Sequence, residues 1–149
     1  MKRDKLLELT VGATVAVVLA WFTASAVDAS EPGITVNRVY DGDTFYADIL
    51  GWPDIIGQDI GIRINGIDTP EIRGARCLRE SQLAATAKHY VSTHLMSGNQ
   101  VELRNMQRGK YFRIVADVYV GGVSVADLLI RQGLAVPYDG GTKTHDWCE

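Results

Sequence analysis

Most of the chemically useful charge in this chain lies in two short stretches and one isolated residue. YDGDT sets Asp41 and Asp43 around a glycine, RINGIDTPE carries Arg63, Asp68 and Glu71, and Arg113 stands in a largely apolar run. Carboxylates in this number can hold a hard divalent cation through oxygen or take a proton from water. Arginine keeps its charge and presents a planar fork that fits a carboxylate or a phosphate. Each stretch also has a plain structural reading. Asp68-Thr69-Pro70-Glu71 has the spacing of a helix capping box, a device whose cap contributes about 1 kcal/mol. The following IRGAR, with Gly74, is a poor helix start. Asp41-Gly42 is a tight-turn signal, but a turn needs only one of the two aspartates. A lone strand arginine belongs on an outward face. Two arginines and three carboxylates on one face exceed what these readings require. An EF-hand is excluded, because neither its D-x-D-x-D-G run nor its twelfth-position glutamate is present.

The elements that would carry these residues follow from patterning. Ile34 to Val39 and Thr44 to Leu50 read as strands joined at the Asp41-Gly42 turn, and Gly51 to Gly57 as a hairpin loop. From Ile60 to Ile67 the apolar positions alternate, with Ile60, Ile62 and Ile64 on one face and Gly61, Arg63 and Asn65 on the other. Helical spacing of Leu83, Ala84, Ala87, Tyr90, Val91, His94 and Leu95 predicts a helix between Leu78 and Met96, stopped by Gly98. Val101 to Arg104 and Arg113 to Val120 are two further strands around a polar loop from Asn105 to Lys110. Ser124 is placed to cap a short helix with Val125, Leu128 and Leu129 on its core face, ended by Gly133. The layout is mainly β with helices (α+β), and suits a five-stranded Greek-key barrel of the OB type with two helices. That fold suggests oligonucleotide binding without deciding function.

With 149 residues, 46% hydrophobic and 22% charged, the chain supports one domain with a real core. Residues 1–29 stand apart: a basic start, no charge from Leu9 to Val27, then the small-residue run TASAVDAS. This reads as a cleaved signal peptide or, at nearly bilayer-spanning length, a retained membrane anchor. Either reading puts the domain at residues 30–149 outside the cytoplasm, periplasmic, secreted or membrane-anchored. Cys77 and Cys148 are an even pair in that compartment, which favours a disulfide over two free thiols. From Ser30 onward 12 Lys and Arg face 15 Asp and Glu. This lacks the basic footprint of a tight polyanion binder, but still allows an enzyme that focuses positive charge locally. His89 and His94 are five apart, not the four of a helical zinc pair, and His145 is isolated, so structural or surface roles fit them.

In order and approximate spacing, YDGDT, RINGIDTPE, KYFRIVADVYV and VADLLIRQGLA resemble the staphylococcal nuclease (thermonuclease) family from Ile34 to Tyr138. The resemblance implies a Ca²⁺ ion held by Asp43, Asp68 and the Thr69 carbonyl, with Asp41 close by. It implies Glu71 positioning or deprotonating a water, and Arg63 and Arg113 clamping the phosphate. Lys110, Tyr111 and Tyr138 match positions lining a nucleotide pocket. The implied activity is calcium-dependent, sugar-nonspecific hydrolysis of DNA and RNA to 3′-phosphate products, with a monomer expected. The charges suit one another: two arginines and a divalent cation balance four carboxylates. Departures are Phe112 in place of the family's glycine, the Gly51 to Gly57 loop, the RGARC segment, and a tail too short for the family's last helix. A Cys77–Cys148 bond would pin the tail where that helix packs. The alternatives are a non-catalytic OB module that binds nucleic acid in the cell envelope, and a structural, calcium-stabilised envelope domain.

Overall fold

The computed structural model describes residues 33–149. The leader segment, with its expected signal or anchor, lies outside the described residues. Among the described residues no helix is long and apolar enough to cross a membrane.

The elements run β1 (Ile34–Val39), β2 (Thr44–Ile49), α1 (Asp54–Gly57), β3 (Ile60–Ile64), β4 (Ile67–Asp68), α2 (Leu78–Leu95) and β5 (Val101–Arg108). There follow a 3₁₀ turn at Lys110–Phe112, then β6 (Ile114–Val120), β7 (Val123–Ser124), α3 (Val125–Arg131) and β8 (Val136–Pro137). The main sheet has the order β1-β2-β3-β6-β5, with β7 added to β6. All its pairs are antiparallel except β3 with β6, which is parallel with Arg63 opposite Val115. The sheet curls until β1 and β5 come into contact, a half-barrel with three helices that agrees with the expected OB-type barrel.

The β3 alternation holds: Ile62 and Ile64 are fully buried and Ile60 nearly so, while Arg63 lies on the other face. On α2, Ala84, Ala87, Val91 and Leu95 turn into the core, and on α3 Val125 and Leu129 do so. The Ser124 hydroxyl accepts the Asp127 N–H at 3.2 Å, the expected cap.

Three local expectations need correction. Asp68 is not a helix cap; it ends the two-residue strand β4. The helix begins ten residues later, capped by Cys77, and there Glu80 reaches back past the cap to accept the Arg76 N–H at 2.6 Å. The Gly51 to Gly57 segment contains the helical turn α1. The polar stretch after Arg104 is not a loop: β5 continues to Arg108 past an irregularity at Asn105, whose φ is 52°. Beyond these, β8 pairs with β4, a pairing that the sequence patterning did not include. Two-residue strands are too short to leave a periodic signal.

Cys77 and Cys148 are joined by a disulfide. It closes a loop of 71 residues between the start of α2 and the end of the chain. A closure of that size is worth about 4 kcal/mol in the chain-entropy picture. Trp147 is buried beside it, and Arg76 donates to Asp146 at 2.8 Å.

Candidate active site

The two acidic stretches meet because Gly42 has no side chain. A Cβ there would lie 2.9 Å from both Thr69 Oγ1 and Ala87 Cβ. The turn before β2 therefore packs directly on the segment after β4, with α2 behind. Replacing Gly42 by alanine should cost about 1–3 kcal/mol as an overpacking change and push Asp43 away from Asp68. A lower urea midpoint at unchanged slope checks this.

Asp43, Asp68 and Thr69 are all buried. The Asp43 carboxylate accepts the Thr44 hydroxyl at 2.8 Å and lies 2.5 Å from Arg63 Nη1. Arg63 also donates to the Ile67 carbonyl at 3.2 Å and stands 5.8 Å from the centre of the Tyr138 ring. Asp41 accepts the Asp43 N–H at 3.1 Å. Burial, and then the Asp43 charge, push Asp41 up to about 6.

Across the cleft, Lys143 is a residue that sequence reading missed. Its Nζ donates to Glu71 Oε1 at 2.5 Å and lies 2.6 Å from Asp68 Oδ1. Burial pulls Lys143 down, but the two carboxylates outweigh it and the net shift is upward. Within the polar tail GGTKTHD, no pattern sets this lysine apart from a solvated charge.

Arg113 approaches from the β6 side. A Cβ on Gly61 would sit 3.0 Å from Arg113 Cγ, so the bare backbone of β3 gives the Arg113 stem its path. Gly61 and Arg63 are two apart on one strand face, about 7 Å along it. Both arginines thus belong to the same side of the sheet. Lys110 and Tyr111 stand at this end, on the 3₁₀ turn; Tyr111 is almost wholly exposed, 5.6 Å from the Arg113 guanidinium. Among the described residues neither forms an ion pair or side-chain hydrogen bond with the acidic cluster. Tyr111 and Phe112 both have positive φ, 57° and 62°. Phe112 thus keeps the left-handed conformation that a glycine adopts freely, at a cost of order 1–3 kcal/mol.

Could this set hold a divalent cation? Among the described residues no three His, Cys, Asp or Glu side chains converge closely enough to enclose one. Two aspartates, a carbonyl and water are nonetheless an ordinary donor set for calcium, which accepts irregular oxygen coordination. Asp68 Oδ1 is buried and, although near Lys143, receives no hydrogen bond of proper geometry. Its positive neighbour is the Lys143 ammonium at 2.6 Å, off the line of a proper hydrogen bond, which leaves lone pairs of this oxygen open to a second cation. Asp43, Asp68 and the Thr69 carbonyl are oxygen donors of the kind a hard divalent cation takes, and are the residues that would hold one.

Residues 61–146 match the family described as staphylococcal nuclease homologue. A Podospora anserina protein described as a probable endonuclease, LCL3, is 32% identical over 130 residues, covering 72% of this chain and 46% of its own. Endonuclease YncB of Bacillus subtilis is 30% identical over 120 residues, covering 76% of this chain and 53% of its own. Thermonuclease of Staphylococcus intermedius is 30% identical over 115 residues, with coverages of 76% and 64%. The chain thus spans less than two thirds of the length of each of these relatives.

Proposed function

Because the chain belongs to the staphylococcal nuclease homologue family, we propose that its cleft hydrolyses phosphodiester bonds of DNA and RNA in a calcium-dependent reaction. One observation carries the reading. Gly42 brings Asp43 against the segment of Asp68 and Thr69, while Arg63, paired to Asp43, shares its sheet face with the Arg113 stem. Relatives described as an endonuclease and a thermonuclease support the same reaction class.

A phosphodiester is anionic, and attack by water adds a second negative charge on its non-bridging oxygens. Groups that oppose that charge lower the barrier. Arg63 and Arg113 do so through parallel hydrogen bonds, remaining protonated throughout. Calcium, held by Asp43, Asp68 and the Thr69 carbonyl, would supply a Lewis acid that polarises the phosphoryl oxygen. Glu71, fixed just beyond Pro70, accepts the proton from the attacking water. The water oxygen bonds to phosphorus as the bond to the 5′-oxygen breaks, and that oxygen is protonated from solvent. The phosphate stays on the 3′ side. The disulfide supports a site of action outside the cytoplasm, as the leader segment suggests.

The test is the chemistry of the ends. Short single-stranded DNA and RNA oligonucleotides, digested in calcium and weighed by mass spectrometry, should give 3′-phosphate fragments from both polymers. Fragments ending in 3′-hydroxyl, or no fragments, would overturn the reading.

A further inference from the structure

The tail between β8 and the disulfide runs over the acidic cluster and is held at both ends. At one end the Tyr138 N–H donates to the Gly66 carbonyl at 2.9 Å, and the Tyr138 hydroxyl donates to the Gly141 carbonyl at 2.6 Å. At the other, Cys148 is bonded to Cys77 and Arg76 donates to Asp146. Between these anchors the chain from Asp139 to His145 is exposed, and Gly140 has a φ of 92°. Lys143 is the tail residue that turns inward, its ammonium within 2.6 Å of Asp68 Oδ1 and 2.5 Å of Glu71 Oε1.

We infer that Lys143 is an intrachain rival of the divalent cation, a tethered counter-ion that must give up Asp68 before calcium can bind there. The inference rests on the cation reading above. An ammonium and a calcium ion both seek the same carboxylate oxygen and repel one another at that range. A tether held at both ends keeps the ammonium at high local concentration, so it competes even though a single lysine pair is weak. An ammonium makes no demand on donor geometry, and the exposed tail with its glycines gives it somewhere to go. The site therefore trades cation affinity for a buried Asp68 that is never without a positive neighbour.

Calorimetric titration with calcium chloride tests this on the full-length chain as wild type, Lys143→Met and Lys143→Arg at one pH and salt concentration. Lys143→Met removes the charge but keeps the stem, and should tighten the calcium Kd by at least about tenfold, as expected on deleting a charge beside a bound ion. Lys143→Arg keeps the charge and should stay within about threefold of wild type. A second readout covers the loss of folding that an unpaired Asp68 could cause: calcium, relative to chelator, should raise the Tm of Lys143→Met more than that of wild type. If wild type binds calcium and Lys143→Met binds it equally or less tightly, the inference falls and the cation site stands. If neither chain binds calcium at millimolar concentration, both fall.

Discussion

Glu71→Gln should lower the rate of calcium-dependent cleavage of single-stranded DNA by about 10²–10⁴, the usual worth of a positioned general base. Glutamine fills the same space and still hydrogen-bonds water, but cannot take its proton at neutral pH. The fold should barely notice. Glu71 is about half exposed, and its partner Lys143 keeps Asp68 as a second partner. Surface changes of this kind stay within about 0.5 kcal/mol. The check is an initial-rate assay beside urea unfolding of the same preparation. A variant that unfolds as wild type does and cleaves within tenfold of it removes Glu71 from the chemistry.

The second large effect belongs to Arg113. Its loss to alanine should reduce kcat/KM by about 10²–10³, the range for removing one group that meets charge developing in the transition state. Lysine at this position should restore only part, because an ammonium cannot give two parallel hydrogen bonds to one phosphate. Arg63 is the poorer subject for this test. It is paired to the buried Asp43 at 2.5 Å, and stranding that carboxylate would cost about 3–5 kcal/mol, mixing folding with catalysis. Arg113 has no carboxylate within ion-pair distance among the described residues. Activity of Arg113→Lys between that of Arg113→Ala and wild type fits the account; full activity in Arg113→Lys would mean that charge alone suffices there.

What could be read from the chain follows the length scale of each signal. The β3 alternation and the α2 stripe span five residues or more, and both hold at the level of single side chains. The Asp41-Gly42 turn is local chemistry, and β2 begins at Thr44 as that dipeptide suggests. Asp68 misled because a capping box and a strand exit look alike over four residues. What decides between them is the pairing of β4 with β8, nearly seventy residues away. The pairing of Cys77 with Cys148 was legible from their number and the leader, while the packing of the tail it secures was not. Gly42 and Gly61 show the same limit from the other side. Gly42 reads as a turn residue and Gly61 as a strand position on the Arg63 face, yet each leaves room for partners that sequence cannot name, Thr69 and Ala87 for the first and Arg113 for the second. Lys143 was invisible altogether, since its role depends on where the tail is tied.

The central claim is that four carboxylates and two guanidinium groups, gathered on one side of this barrel, cleave a phosphodiester with the help of calcium. The most direct measurement is the digestion of single-stranded DNA by the purified full-length chain, in calcium or in chelator, beside the Glu71→Gln, Arg113→Ala double variant prepared identically. The account predicts rapid degradation by wild type in calcium, none in chelator, and none by the double variant in either. Degradation that continues in chelator, or that the double variant retains, would contradict it.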